Sequence, residues 1–187
     1  MNRVRVAALP TMPWRNGGGT TTAIAAEPEN ASFDDCLWRV DLSDIGRAGP
    51  FSHLAGLDRT IVPMASGLVL TIDGAPHALE PFQPFAFSGD SATAADIAAP
   101  MQAFNALARR GRATTSVARW PGAGRIAGPG ALVLYVARGG FSVVEGGGRP
   151  MQAEAGSAVV ARSLDQPLAF EPTAAWSLAL SVLIRLA

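Results

Sequence analysis

Apolar and polar residues alternate in short runs along this chain, and Gly and Pro interrupt the runs at close intervals. Leu37-Trp38-Arg39-Val40-Asp41-Leu42 alternates with period two, the spacing that sends successive side chains to opposite faces of a strand. Residues 60–64 and 68–72 are apolar runs joined by Ser66-Gly67. Asp73-Gly74 is a strong turn signal, because both residues tolerate positive φ, and the run 76–79 comes after it. Phe85-Ala86-Phe87 and residues 101–108 continue the texture. In the second half, strand-like runs cover 115–120, 132–137, 141–144, 157–161 and 176–186, with Gly139-Gly140 as a turn. Only the alanine-rich segments 22–26 and 92–99 read as helical, and both are short. No segment carries a helical apolar stripe over three turns, so the pattern predicts an all-β sandwich or barrel with few short helices.

The two halves share a coarse order. Each has a hairpin pair (60–72 and 132–144), a turn-rich spacer, a strand and a closing strand. This weak internal repeat, with its join near Gly111-Arg112, predicts two small β-barrels over residues 1–112 and 113–187.

Composition narrows the chemistry. With 187 residues, 49% hydrophobic and 16% charged, the chain is long and apolar enough for a real core. Fifteen bases balance fifteen acids, so no net charge draws it to nucleic acid or to an anionic membrane. All of the bases are arginine. Without lysine there is no Schiff base and no Walker A loop, although Asn16-Gly17-Gly18-Gly19-Thr20 is glycine-rich. The single cysteine, Cys36, excludes an intramolecular disulfide and fits a reducing compartment. The start has no signal-like apolar run, and the tail 178–187 is too short to span a bilayer. The expectation is a cytoplasmic protein. His53 and His77 stand far apart with no His-x-His, so neither a metal centre nor another cofactor is expected. His53 reads as a loop residue and His77 as part of a turn after Pro76.

Three places remain as candidate chemistry. Pro13-Trp14-Arg15-Asn16-Gly17-Gly18-Gly19-Thr20 joins an aromatic, a permanent cation, an amide and three glycines. It reads either as an anion site or as a tight turn with a salt-bridged arginine. Gly56-Leu57-Asp58-Arg59-Thr60 puts Arg59 at a strand entrance, for a ligand or for an ion pair with Asp58. Asn105 interrupts an apolar strand, so it faces a wet cavity or is a satisfied core amide. Asp34-Asp35, Asp41 and Asp44 read as loop and strand-end charges, and Arg109-Arg110-Gly111-Arg112 as the closure of a domain junction. Ser52-His53 is only adjacency, and no serine sits in a Gly-x-Ser-x-Gly elbow.

Taken in order, these motifs resemble the HutD/Ves family. The resemblance lies in Met12-Pro13-Trp14-Arg15-Asn16-Gly17-Gly18-Gly19, Trp38-Arg39, Gly49-Pro50-Phe51-Ser52 and Gly56-Leu57-Asp58-Arg59. It continues through Phe85-Ala86-Phe87-Ser88-Gly89-Asp90, Phe104-Asn105 and Arg109-Arg110-Gly111. It covers the first 112 residues or so; the rest matches in general β texture. The resemblance implies two cupin-like barrels (a bicupin), no metal, and an association with bacterial histidine utilisation. It implies binding of a small pathway acid such as urocanate or N-formylglutamate, which moderates the pathway. The chain departs from the family pattern at Ala23 and Ala103, where acids are usual, and at Leu54-Ala55, where Phe-Pro is usual. Loss of two acids near the pocket bears on ligand choice.

The combined expectation is a metal-independent carboxylate-binding protein. Arg15 and Arg59 grip the carboxylate, and Asn16 and Asn105 bond its other polar atoms. Trp14 and Phe87 form apolar walls, while the Gly17, Gly18 and Gly19 backbone approaches the ligand. The alternatives are an isomerase or lyase using Asp58, Asp90 or His53 as base, and a protein-interaction module; a homodimer is compatible with either.

Overall fold

The computed structural model describes residues 1–187, and the chain is almost entirely strand. In chain order the strands are β1 (Asn2–Arg5), β2 (Thr11–Pro13), β3 (Gly19–Glu27), β4 (Trp38–Ile45), β5 (Gly49–Pro50), β6 (Leu57–Pro63), β7 (Leu68–Ile72), β8 (Ala75–Leu79), β9 (Phe85–Ser88) and β10 (Thr93–Ile97). They continue as β11 (Met101–Arg109), β12 (Ala113–Trp120), β13 (Gly124–Ile126), β14 (Ala131–Arg138), β15 (Gly140–Glu145), β16 (Met151–Glu154), β17 (Ser157–Ala161), β18 (Leu168–Pro172) and β19 (Leu178–Leu186). The helical element is a 3-10 turn, Val6–Ala8. Both alanine-rich segments expected as helix are strands, within β3 and β10. Ala25, Ala26 and Ala95 lie buried in ladders with partner strands, and tertiary pairing outweighs helix propensity. No helix is long and apolar enough to cross a membrane.

The chain divides into two compact units, residues 9–114 and residues 1–8 with 115–187. The boundary after 114 lies close to the expected join. The first eight residues, however, belong with the C-terminal unit, because β1 pairs antiparallel with β17 from Asn2↔Val160 to Arg5↔Ser157. Each unit holds two open sheets rather than a closed barrel. In the unit 9–114 a six-stranded sheet runs β2-β3-β4-β11-β6-β9, and a four-stranded sheet runs β5-β10-β7-β8. In the other unit the sheets run β1-β17-β14-β19-β12 and β13-β18-β15-β16.

The expected hairpins 60–72 and 132–144 do not form. β6 pairs with β11 and β9 while β7 pairs with β10 and β8, so Ser66-Gly67 carries the chain from one sheet to the other. β14 and β15 part in the same way. Both runs carry inward apolar residues, and facing sheets bury them against each other. The expected Asp73-Gly74 hairpin does form, between β7 and β8, with φ of 49° and 86° at its two residues. His77 is therefore a strand residue opposite Leu70, not a turn residue.

The internal repeat is legible in the strand order. The sequence β4-β11-β6-β9 in one sheet matches β12-β19-β14-β17 in another, and β5-β10-β7-β8 matches β13-β18-β15-β16. Each partner lies eight strands further along the chain. The two interiors differ. The C-terminal unit is filled by Phe141, Phe170, Leu132, Leu134 and Leu168, with Trp120 stacked edge-on to Phe170. In the unit 9–114, Ile45, Ile61, Leu68, Leu70 and Ala103 form the core between its sheets. That core covers only one end of the six-stranded sheet's inner face.

Candidate functional site

Beyond that core the inner face turns polar. Period-two alternation puts Arg39, Asp41, Ser43 and Ile45 of β4 on it in series. The ladder fixes two rows across the sheet: Arg39, Leu107 and Arg59 in one, Asp41, Asn105 and Ile61 in the next. A cavity of about 230 Å³ opens over these rows. Its floor is Thr21, Asp41, Ser43, Arg59, Ile61, Asn105 and Leu107. Trp14, Arg15 and Asn16 wall it on one side, and Phe33, Pro50, Phe51, Ser52 and Leu54 on the others.

Arg59 and Asp41 dominate its charge, and Arg39 backs Asp41 from outside the lining. Arg39 Nε donates to both oxygens of Asp41 at 2.7 and 2.9 Å, and the residues are 2% and 1% exposed. Arg39 Nη1 donates to the Ala31 carbonyl, and its guanidinium lies 4.4 Å from the Phe33 ring centre. Burial pushes the Asp41 carboxyl up to about 6 against the lowering effect of Arg39. Arg59 is held differently. Its guanidinium sits 4.8 Å from the Phe87 ring and 5.4 Å from Phe51, and Nη1 reaches the Ser52 carbonyl at a long 3.4 Å. It has no carboxylate within ion-pair distance, and its Nε is buried without a hydrogen-bond partner. Burial lowers its pKa to about 10, which still leaves it a cation at neutral pH.

A hydroxyl-amide chain crosses the floor between these charges. Trp14 Nε1 donates to Thr21 Oγ1 at 2.8 Å, Thr21 and Ser43 hydroxyls meet at 3.0 Å, and Asn105 Nδ2 reaches Ser43 at 3.4 Å. Asn105 Nδ2 also bonds the Ala103 carbonyl at 3.1 Å.

Trp14, Arg15, Asn16, Arg59 and Asn105, all candidates from the sequence, therefore come together around one cavity. The glycines do not join them. Gly17 donates its amide to the Trp14 carbonyl, and Gly18 to Asn16 Oδ1, so both amides serve the turn between β2 and β3. A Cβ on Gly19 would collide with the Asp44 carbonyl, and that close approach explains the residue type there. Asn16 spends its other amide end on the Pro50 carbonyl. Phe87 lies opposite Arg59 on β9 and acts as a platform for the guanidinium rather than a cavity wall. Asp58 and Asp90 are taken by Arg110, at 2.8 and 2.6 Å, so Arg59 does not pair with Asp58 and neither acid reaches the cavity. His53 is not among the lining residues.

Sequence reading missed Asp41, Arg39, Ser43, Thr21 and Phe51. The signal was present: Arg39, Asp41 and Ser43 fall on one face of a strand whose other face is apolar. A half-buried strand normally turns such a face to water; loops cover this one.

Arg109 holds those loops. Its guanidinium donates to the carbonyls of Cys36, Ala55, Phe33 and Asp34 at 2.8–3.3 Å. Arg109→Ala should cost about 2 kcal/mol. In a domain pair of this size that is a fall in melting temperature of roughly 4–8 °C, with faster proteolysis around Asp34. Melting within a degree of the parent protein would contradict this role.

No three His, Cys, Asp or Glu side chains converge in a metal-binding group. The HutD family model matches residues 6–178. The chain belongs to the HutD family. Among HutD-related proteins, an uncharacterized 21.2 kDa protein in the hutC 3′ region of Pseudomonas putida is 33% identical over 152 residues, 80% of each chain. The structure of HutD from Pseudomonas fluorescens SBW25, from a formate condition, superimposes with a TM-score of 0.87 at 24% identity, over 100% of this chain and 98% of that one. A cupin 2 conserved barrel domain protein from Leptotrichia buccalis superimposes with a TM-score of 0.61 at 11% identity, over 98% and 96%. The HutD-family fold in this chain is thus cupin-like.

Proposed function

We propose that this chain binds a small carboxylate in the cavity of its unit 9–114, without a metal, and moderates histidine utilisation through that acid. One observation carries the reading. Arg59 is a cation held between two aromatic rings at the cavity, with a buried N–H that no protein atom satisfies. An unsatisfied buried donor is costly, and a carboxylate satisfies it with a charge-assisted bond. Asn105, Ser43 and Thr21 offer further polar partners, Trp14 and Phe51 offer aromatic walls, and Arg15 stands exposed at the rim. The cavity, about 230 Å³, lies below the range of about 300–1,000 Å³ usual for drug-sized ligands, which fits a small metabolite. Family membership supports the pathway reading, with urocanate and N-formylglutamate as the acids to test. The same reading takes the two units as tandem cupin-like modules of a cytoplasmic protein with no nucleic-acid or membrane partner.

Thermal-shift titration tests it. At a hundredfold excess over Kd, the right acid adds about 2.7 kcal/mol. That is a rise of roughly 5–10 °C in melting temperature. The corresponding neutral amides should give no shift. Equal shifts from acid and amide would rule out recognition of the carboxylate.

A second reading is a metal-independent isomerase or lyase. It is favoured by Asp41, a cavity carboxyl that burial pushes up to about 6. Turnover of either acid by purified protein, lost in Asp41→Asn, would establish it; no product after prolonged incubation leaves binding as the function.

A further inference from the structure

Asp41 shares the cavity with the cation that would receive the ligand, and it is the single acid lining it. We propose that Asp41 decides the charge state in which the cavity accepts an acid: a carboxylate enters beside Arg59 together with a proton that Asp41 takes up. The inference rests on the carboxylate-binding reading above and adds a specificity-determining residue to it.

The argument is one of charge in an enclosed space. The floor carries the Arg59 cation, half-buried with its Nε enclosed, and the buried Asp41 anion, and the buried Arg39 stands behind Asp41. Arg39 is already engaged by Asp41, and Arg59 feels Asp41 across the floor without pairing to it. A carboxylate placed on Arg59 brings a second negative charge into the same desolvated volume. That charge repels Asp41 and cancels the lowering effect that Arg59 has on it, so the neutral form gains and one of the two carboxyls takes a proton. Asp41 is the one placed to do so, because burial already brings its neutral form within reach of physiological pH. The proton comes from solvent, and no other bond forms or breaks.

The surroundings of Asp41 offer no competing group. Its own strand supplies Arg39, and β6 supplies Arg59. Opposite it on β3 and β11 stand the uncharged Ala23 and Asn105. The covering loop supplies the Cys36 thiol, pushed up by burial, with Arg109 behind it. Arg15 lines the rim. Arg59, lowered only to about 10, keeps its charge between pH 5.5 and 8.5, and Asp41 is the cavity group whose charge changes there.

The effect has a definite sign. At acid pH Asp41 is already neutral, and binding needs no proton. As pH rises, each further unit weakens binding by up to about tenfold, until Asp41 ionises in the complex as well. The site therefore favours mildly acidic conditions and singly charged acids.

Sodium formate is the probe, since it stays ionised across this range. Its affinity is measured by tryptophan fluorescence on the full chain from pH 5.5 to 8.5. The expected result is a Kd that rises about tenfold or more over the range. Asp41→Asn should bind as tightly as the parent does at pH 5.5, with a flat profile, and His53→Gln should leave the slope unchanged. If Asp41→Asn does not fold, the slope of the parent protein and of His53→Gln decides. Formate binding with a flat profile in the parent overturns the inference and leaves carboxylate recognition standing. A slope abolished by His53→Gln also overturns it. No formate binding at any pH, with no shift from the larger acids, overturns both.

Discussion

Arg59→Ala is expected to raise the dissociation constant for the bound acid about 30-fold or more while the protein stays folded. Removing one side of a desolvated charge pair costs about 2–5 kcal/mol, much of it from the ligand charge left unpaired. The fold should tolerate the change, because Arg59 contributes little to it. It makes one long bond to Ser52 and two ring contacts, and its burial is itself unfavourable. Arg59→Lys should recover only part of the affinity, since an ammonium lacks the planar fork and stacks less well between rings. Calorimetry on the folded variant checks this. Unchanged affinity would remove Arg59 from the site and with it the basis of the proposed function.

Arg39→Met should act on stability instead. The variant loses the bonds to both Asp41 oxygens, the bond to Ala31 and the contact with Phe33, and it strands a carboxylate at 1% exposure. Breaking a buried pair from one side costs about 3–5 kcal/mol. For a protein of this length that lowers the melting temperature by roughly 6–20 °C. Two further results mark the cause as electrostatic. The deficit should shrink at acid pH, where Asp41 becomes neutral and no longer needs a counter-charge. The double variant Arg39→Met/Asp41→Leu should regain most of the loss, since an apolar pair of similar volume removes both desolvation costs. A deficit that is independent of pH, and additive with Asp41→Leu, would assign the effect to packing rather than to the ion pair.

The contrast between the two arginines explains why the sequence marked one and passed over the other. Arg59 comes after a glycine turn beside an acid and attracts notice, although its expected partner, Asp58, belongs to Arg110. Arg39 sits in a regular alternating strand and looks like one more solvent-facing charge. Only the loops over that face, pinned by Arg109, make it an interior residue. The glycine run shows the opposite error. Its composition suggested backbone amides aimed at a ligand, yet the turn between β2 and β3 uses the Gly17 and Gly18 amides itself.

By itself the sequence determined the all-β class, the regularly alternating strands such as β4 and β11, the Asp73-Gly74 hairpin and the family, because period-two alternation, turn residues and ordered motifs are local properties of the chain. It also marked Trp14, Arg59 and Asn105 as candidates, and the structure brings the three to one cavity. Which strands pair was decided only in the tertiary structure. Neighbours such as β6 and β7 part into facing sheets, because an apolar face is buried by whatever covers it and not by the next strand in the chain. The same long-range covering joined Arg39, Asp41 and Arg59 over one floor, and it made one of two topologically matching units hollow and charged where the other is filled with phenylalanine and leucine.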